Sequence, residues 1–240
     1  MRQQGVTRPG PGERLACRVC RGPVTAPGFA RCYQCDLHLR QAGSLLADAV
    51  MPVAYAVKGG PLASDLWRYK AGDAAAAERV RATLQGFLRD HSDCAWRAAG
   101  MATPPTRVAV VPSGQGRPGA HPLAAIAGEL VGLPLLRLSP GPDAVTRGRE
   151  IGIGFLRVID AVDGENVLLI DDTWVSGGSA QSAAVALKRA GADKVAVVVA
   201  GRHVDPADRR AGAFAPGAAV APGHACLRGG TAAPRSPATR

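Results

Sequence analysis

The segment NVLLIDDTWVSGGSAQSAAVALKRAGA occupies residues 166–192. Its opening run, Asn166 followed by Val167, Leu168, Leu169 and Ile170, has the unbroken aliphatic character of a strand covered on both faces, as in a parallel sheet. Two acids, Asp171 and Asp172, come next, just past the expected strand end at Ile170. Residues 173–179 then read as a small glycine-containing loop, and a helix is expected from about Ala180. Ala180, Ala184 and Leu187 share the face that would meet the sheet, Lys188 and Arg189 fall in the last turn, and Gly191 stands where a helix stops. Strand ends in open α/β sheets are where ligands collect. Amides at a helix start lack intrahelical partners and favour an anion. Gly177 and Gly178 allow close approach of the backbone, and Ser176 and Ser179 add hydroxyls. Carboxylates only accept hydrogen bonds, so beside an anion site they want hydroxyls or a metal ion. A phosphorylated sugar meets both demands, with phosphate on the amides and vicinal hydroxyls on the acids. Mg²⁺ could bridge the sugar oxygens and a diphosphate. A Walker loop is excluded by the missing Gly-Lys-Ser/Thr, and a dinucleotide fingerprint by the missing Gly-x-Gly-x-x-Gly.

Working outward, the chain alternates between strand-like and helix-like stretches, which predicts an α/β fold with a mostly parallel sheet flanked by helices. Strands are expected at 53–57, 107–113, 134–138, 166–170 and 194–201, and helices near 37–50, at 61–70, 73–90, 121–132 and 180–191. Ala76, Val80, Leu84 and Phe87 recur at helical spacing, and Gly132 stops the fourth of these helices. A second strand, loop and helix unit spans 108–130, where Ser113, Gly114, Gly116 and Arg117 could offer amides and a guanidinium to a diphosphate. A long loop without periodicity holds Arg147 and Arg149, and loops of this length are often lids.

Near the N-terminus, Cys17, Cys20, Cys32 and Cys35 form C-x₂-C-x₁₁-C-x₂-C. Two such knuckles suit tetrahedral thiolate ligation of Zn²⁺, in a structural site because four thiolates leave no open position. A module this small has no core of its own, so metal binding would supply its folding free energy. Cys94 reads as a packing residue, Cys226 has no local partner spacing, and His121 reads as structural.

The chain has 240 residues, 47% of them hydrophobic and only 4% aromatic, enough for one domain with an accessory module and an Ala/Val/Leu core. Formal charge is +10, carried by four lysines and otherwise by arginine. A nucleic-acid partner is compatible with that balance, but the charge is scattered and no basic block appears. The first residues contain no apolar signal segment, and no apolar run reaches the roughly 20 residues of a membrane span. A cytoplasmic protein is therefore expected. Residues 1–13 and 205–240, rich in Gly, Pro, Ala and Arg, are expected to be tails, with the Cys₄ zinc module at 14–45 and the α/β domain at 46–204.

The motif VLLIDDTWVSGGS resembles the 5-phosphoribosyl-1-pyrophosphate (PRPP) signature of type I phosphoribosyltransferases, namely four hydrophobics, two acids, a short spacer and Ser/Thr-Gly-Gly-Ser/Thr. The resemblance implies that Asp171 and Asp172 bind the ribose hydroxyls and act at the reacting ring, while Val175, Ser176, Gly177, Gly178 and Ser179 wrap the 5′-phosphate. It makes Ser113, Gly114, Gly116 and Arg117 the pyrophosphate loop and the Arg147/Arg149 segment a closing flap. The segment LWRYKAGD (66–73) is similar to a KYxGD-like stretch of ComF-type, competence-associated members, which implies phosphate contact by Lys70; packing of its stem over a core edge beside Trp67 is the other reading. The zinc module ahead of the PRPP motif is also the ComF layout, so the resemblance covers about residues 17–202. It implies Mg²⁺-dependent phosphoribosyl transfer to a nitrogenous acceptor. A non-catalytic PRPP or nucleotide sensor, and a DNA-associated competence protein, are the alternatives. One departure is His121-Pro122-Leu123, where ComF-type proteins often carry an aromatic-Asn-Gln triplet.

Overall fold

The structure is a computed structural model and describes residues 16–24, 28–112, 121–141 and 149–208. Five parallel strands form one sheet: β1 (Ala49–Val57), β2 (Arg107–Val110), β3 (Leu135–Leu136), β6 (Asn166–Trp174) and β7 (Lys194–Val204), in the order β1-β7-β6-β2-β3. β4 (Leu138–Pro140) and β5 (Leu156–Val158) make a separate antiparallel ribbon. The helices are α1 (Tyr33–Ala42), α2 (Pro61–Arg68), α3 (Ala74–Ala98), α4 (Pro122–Val131) and α5 (Gly178–Arg189). The α/β fold class expected from the sequence is the one observed. Among the described residues no helix is long and apolar enough to cross a membrane.

Strand alternation divides the core into two layers. On one face Val108, Val110, Leu168, Ile170 and Val198 pack against Leu66, Val80, Leu84 and Leu123, from α2, α3 and α4. On the other face Ala109, Val167, Leu169, Val195 and Val197 pack against Ala180, Ala183, Ala184 and Leu187 of α5. Cys17, Cys20, Val24 and Cys35 belong to this same second cluster, so the cysteine knuckle is built onto the sheet.

Several boundaries differ from the sequence reading. The helix expected near 37–50 ends at Ala42, and Ala49 and Val50 already belong to β1. That is because Asp48 turns the chain: its carboxylate accepts from Val195 N at 2.8 Å and pairs with Lys188 Nζ at 2.8 Å. The expected strand at 134–138 is two short pieces, only the first of which joins the main sheet. β6 runs past Ile170 to Trp174, because Asp171, Thr173 and Trp174 keep their pairing with Val199, Gly201 and Arg202 of β7. α5 begins at Gly178, two residues ahead of the expected start.

The order of strands creates the place for a site. From β2 the chain crosses through α4 to β3 on one side, and from β6 it crosses through α5 to β7 on the other. α4 and α5 lie on opposite faces. β2 and β6 are neighbours, so a crevice opens beyond their carboxyl ends.

Candidate functional site

A cleft of about 1060 Å³ lies at that switch point. Its lining comes from the carboxyl ends of four strands: Ala56 in β1 and Lys58 just after it, Val111 and Pro112 after β2, Asp171, Asp172 and Thr173 of β6, and His203 of β7. α2 and the turn after it contribute Ala63, Trp67 and Lys70, the loop after β6 contributes Val175, and the first turn of α5 contributes Ser179.

The two acids are buried, at 9% exposure for Asp171 and 4% for Asp172, which separates them from solvated surface carboxylates. Consecutive strand residues point to opposite faces, so Asp172 follows Leu168 and Ile170 toward α2. There it accepts a hydrogen bond from the Tyr69 hydroxyl, pairs with Lys70 Nζ at 2.7 Å and lies 3.9 Å from His121 Nε2. Lys70 is also 5.9 Å from the Tyr69 ring centroid, within cation–π range. Asp171 Oδ1 accepts from the amide of Asp172 at 2.9 Å. Burial first, and then the negative charge of Asp172, push the Asp171 carboxyl up to about 8. At neutral pH Asp171 is thus mostly protonated. It can donate as well as accept, which suits a hydroxyl partner.

The loop after β6 is shaped by Gly177. Its φ is 86°, the left-handed region, and a Cβ there would lie 2.1 Å from Cζ2 of the buried Trp174 indole. Gly177 is the N-cap of α5, and its carbonyl accepts from Gln181 N at 2.9 Å. Ser176 Oγ lies 3.4 Å from the Gly178 amide. Two buried polar side chains of the helix are partnered by neighbouring segments. Ser182 Oγ donates to Gly178 O at 2.7 Å and accepts from Gly152 N at 3.0 Å, and Gln181 Oε1 accepts from Ala47 N at 3.0 Å.

Of the residues singled out from the sequence, Asp171, Asp172, Lys70, Val175 and Ser179 come together on the cleft, with Ser176 and Gly177 in the connecting loop and Gly178 opening α5. Arg149 is not part of the lining. Its carbonyl accepts from His38 Nε2 at 2.7 Å and from Gln34 Nε2 at 2.6 Å, tying the segment to α1. Ser113, Gly114, Gly116, Arg117, Arg147 and Cys226 lie outside the described residues. Cys94 is buried on α3. Sequence reasoning placed Tyr69 and Thr173 in their segments without a role at the site and gave His121 a structural role. His121 does cap α4, with Nδ1 accepting from Leu123 N at 3.1 Å, but it also faces the cleft. The turn after α2 brings Tyr69 and Lys70 to the acids from 103 residues away along the chain, a meeting that no local spacing signals.

The second cluster is the cysteine set. The four sulfurs lie within 4.8 Å of one another, and Cys20 Sγ is 3.7 Å from Cys32 Sγ. Zn–S bonds of about 2.3 Å at tetrahedral angles place sulfurs about 3.8 Å apart, so the donor set fits such a metal. The knuckle is braced from β1, where the Tyr55 hydroxyl donates to Arg21 O at 2.9 Å.

No protein-family model and no curated protein matches this chain. Solved structures with partial overlap include adenine phosphoribosyltransferase from Leishmania tarentolae, at 16% identity and TM-score 0.35, covering 54% of this chain and 58% of that one. Purine phosphoribosyltransferase from Pyrococcus horikoshii overlaps at 15% identity and TM-score 0.34, over 55% of this chain and 89% of that one. Phosphoribosylpyrophosphate synthetase from Mycobacterium smegmatis overlaps at 23% identity and TM-score 0.31, over 54% and 36%. The chain spans little more than half of the first of these and about a third of the last. Overlap at this level assigns no activity to it.

Proposed function

We propose that the cleft binds PRPP, as its Mg²⁺ complex, and that the chain transfers the phosphoribosyl group to a nitrogenous acceptor with release of diphosphate. The observation that carries this reading is the juxtaposition of two buried acids at the end of β6 with a glycine-capped helix start, at the switch point of a parallel sheet. The amides ahead of α5 suit the 5′-phosphate. Asp171 and Asp172 suit the ribose hydroxyls: the Asp171 carboxyl, pushed up by burial, can donate as well as accept, and Asp172 pairs with Lys70.

In the reaction the bond from C1′ to the diphosphate oxygen breaks and a bond from C1′ to the acceptor nitrogen forms. Positive charge grows on the ribose ring and negative charge on the leaving oxygens. Asp172 stabilises the first while Asp171 holds a ribose hydroxyl, and Lys70, exchanging Asp172 for a diphosphate oxygen, stabilises the second. Residues 113–117 would complete the diphosphate site. The Cys17, Cys20, Cys32 and Cys35 set would hold Zn²⁺ as a structural ion. The knuckle ahead of the motif supports reading the chain as a ComF-type member of the phosphoribosyltransferases.

Titration calorimetry with PRPP and Mg²⁺ tests the binding step. The wild type should bind and the folded Asp171→Asn/Asp172→Asn double variant should not. Unchanged binding by the double variant sinks the assignment of the acids. Diphosphate release across a panel of nitrogenous acceptors tests transfer; tight PRPP binding with no release for any acceptor would replace the enzyme by a sensor.

A further inference from the structure

Arg202, near the end of β7, is a buried cation with 8% exposure. Its Nη1 donates to the carbonyls of Trp174 at 3.0 Å and Val175 at 3.1 Å, and to that of His203. The other side of the guanidinium rests on the cysteine knuckle: a Cβ at Gly22 would lie 2.2 Å from Nη2 and 2.9 Å from the guanidinium carbon. Arg202 therefore sits between the strand that enters the phosphate loop and the turn that follows Cys20. Among the described residues no carboxylate forms an ion pair with it, and its Nε has no hydrogen-bond partner.

Carbonyl dipoles alone compensate a buried cation poorly; it needs negative charge nearby. The knuckle supplies it when loaded. Four thiolates around one divalent ion carry a net charge of about −2. We propose that Arg202 is a positioning residue, the counter-charge of the Cys17–Cys20–Cys32–Cys35 metal centre, and that through it the metal fixes the carbonyls of Trp174 and Val175 and hence the loop that receives phosphate. With the metal in place the guanidinium is drawn onto the knuckle and holds these carbonyls on its far side. Without the metal the cation loses its partner and the loop loses its anchor. The inference rests on the reading of residues 175–179 as a phosphate loop.

The test uses the full chain loaded with Zn²⁺. Three quantities are read: zinc transfer to a chromogenic chelator, PRPP affinity by calorimetry, and amide hydrogen exchange of residues 174–179. Arg202→Met should speed zinc transfer by about 10- to 100-fold, the usual scale for losing an outer partner of a metal site. It should weaken PRPP binding by about tenfold and raise exchange in 174–179 while β2 stays protected. Arg202→Lys should restore slow zinc transfer, since charge is kept, but only part of the PRPP affinity, since one ammonium cannot span knuckle and carbonyls. Should Arg202→Met fail to fold, Gly22→Ala, whose methyl group displaces the guanidinium, gives the same three readings, and the zinc-stripped wild type gives the PRPP affinity and the loop exchange. Faster zinc transfer with unchanged loop exchange would overturn the coupling, as would both staying within about twofold of wild type. If the wild type binds no PRPP, the proposed function fails alone, and loop exchange on stripping zinc still decides the coupling.

Discussion

Replacing Asp171 by Asn should change how the stability of the fold depends on pH, and the direction follows from the burial of one carboxyl. Its folded-state pKa is raised to about 8 by burial and by Asp172, against about 4 in the unfolded chain. Below pH 4 both states hold the proton and the group contributes nothing to the pH slope. Between pH 4 and 8 the folded state keeps a proton that the unfolded state releases, so stability falls as pH rises, by a little over 1 kcal/mol per unit from this group. Across the whole window the loss is about 5 kcal/mol, and above pH 8 it levels off. Asn keeps the oxygen that accepts from the Asp172 amide and cannot ionise. Losing the carboxyl's own hydrogen bonds costs about 1 kcal/mol, so the variant should be slightly the weaker near pH 4. By pH 7.5 it should be the more stable by a few kcal/mol. Urea titrations of both proteins at half-unit steps from pH 4 to 8 measure this, and with a slope of about 2–3 kcal/mol per molar urea the midpoints should separate by about 1 M at pH 7.5. A difference between the two proteins that does not vary with pH, or a variant still weaker at pH 7.5, refutes the assignment of a protonated Asp171.

The other consequences are narrower. Lys70→Met should weaken PRPP binding by about 10- to 100-fold in calorimetry, since one charge-assisted phosphate contact is worth about 1.5–3 kcal/mol. Tyr69→Phe removes the buried hydroxyl that donates to Asp172 and should cost about 1–3 kcal/mol in urea denaturation at pH 7. Gly177→Ala meets both a positive φ and the Trp174 ring; it should destabilise by about 2 kcal/mol or more, or move the loop and lose PRPP binding in the same preparation.

Much of the architecture was legible because a parallel sheet buried on both faces demands continuous aliphatic strands, and 167–170 and 195–199 are such runs. Helix limits were legible where chemistry fixes them locally, as with Gly132, which closes α4 at φ 65°. Boundaries slipped where tertiary pairing extended an element. β6 carries two acids and a threonine beyond its apolar run because β7 continues to pair with it, and no propensity signals that. The cysteine spacing foresaw the cluster, since four ligands on two short knuckles meet wherever the intervening chain folds back.

The sequence by itself determined which groups this protein has to work with: an aliphatic sheet, two adjacent acids before a glycine pair, and four cysteines in knuckle spacing. Those follow from residue types and short intervals, which local geometry reads directly. Only the tertiary structure decided what surrounds them. It set Tyr69, Lys70 and His121 around Asp172, buried Asp171 deeply enough to hold its proton, and wedged Arg202 between knuckle and loop. Charge and burial at these points depend on chain segments that meet across the switch point of the sheet, and the order of strands in space, unlike the order in sequence, is fixed by packing.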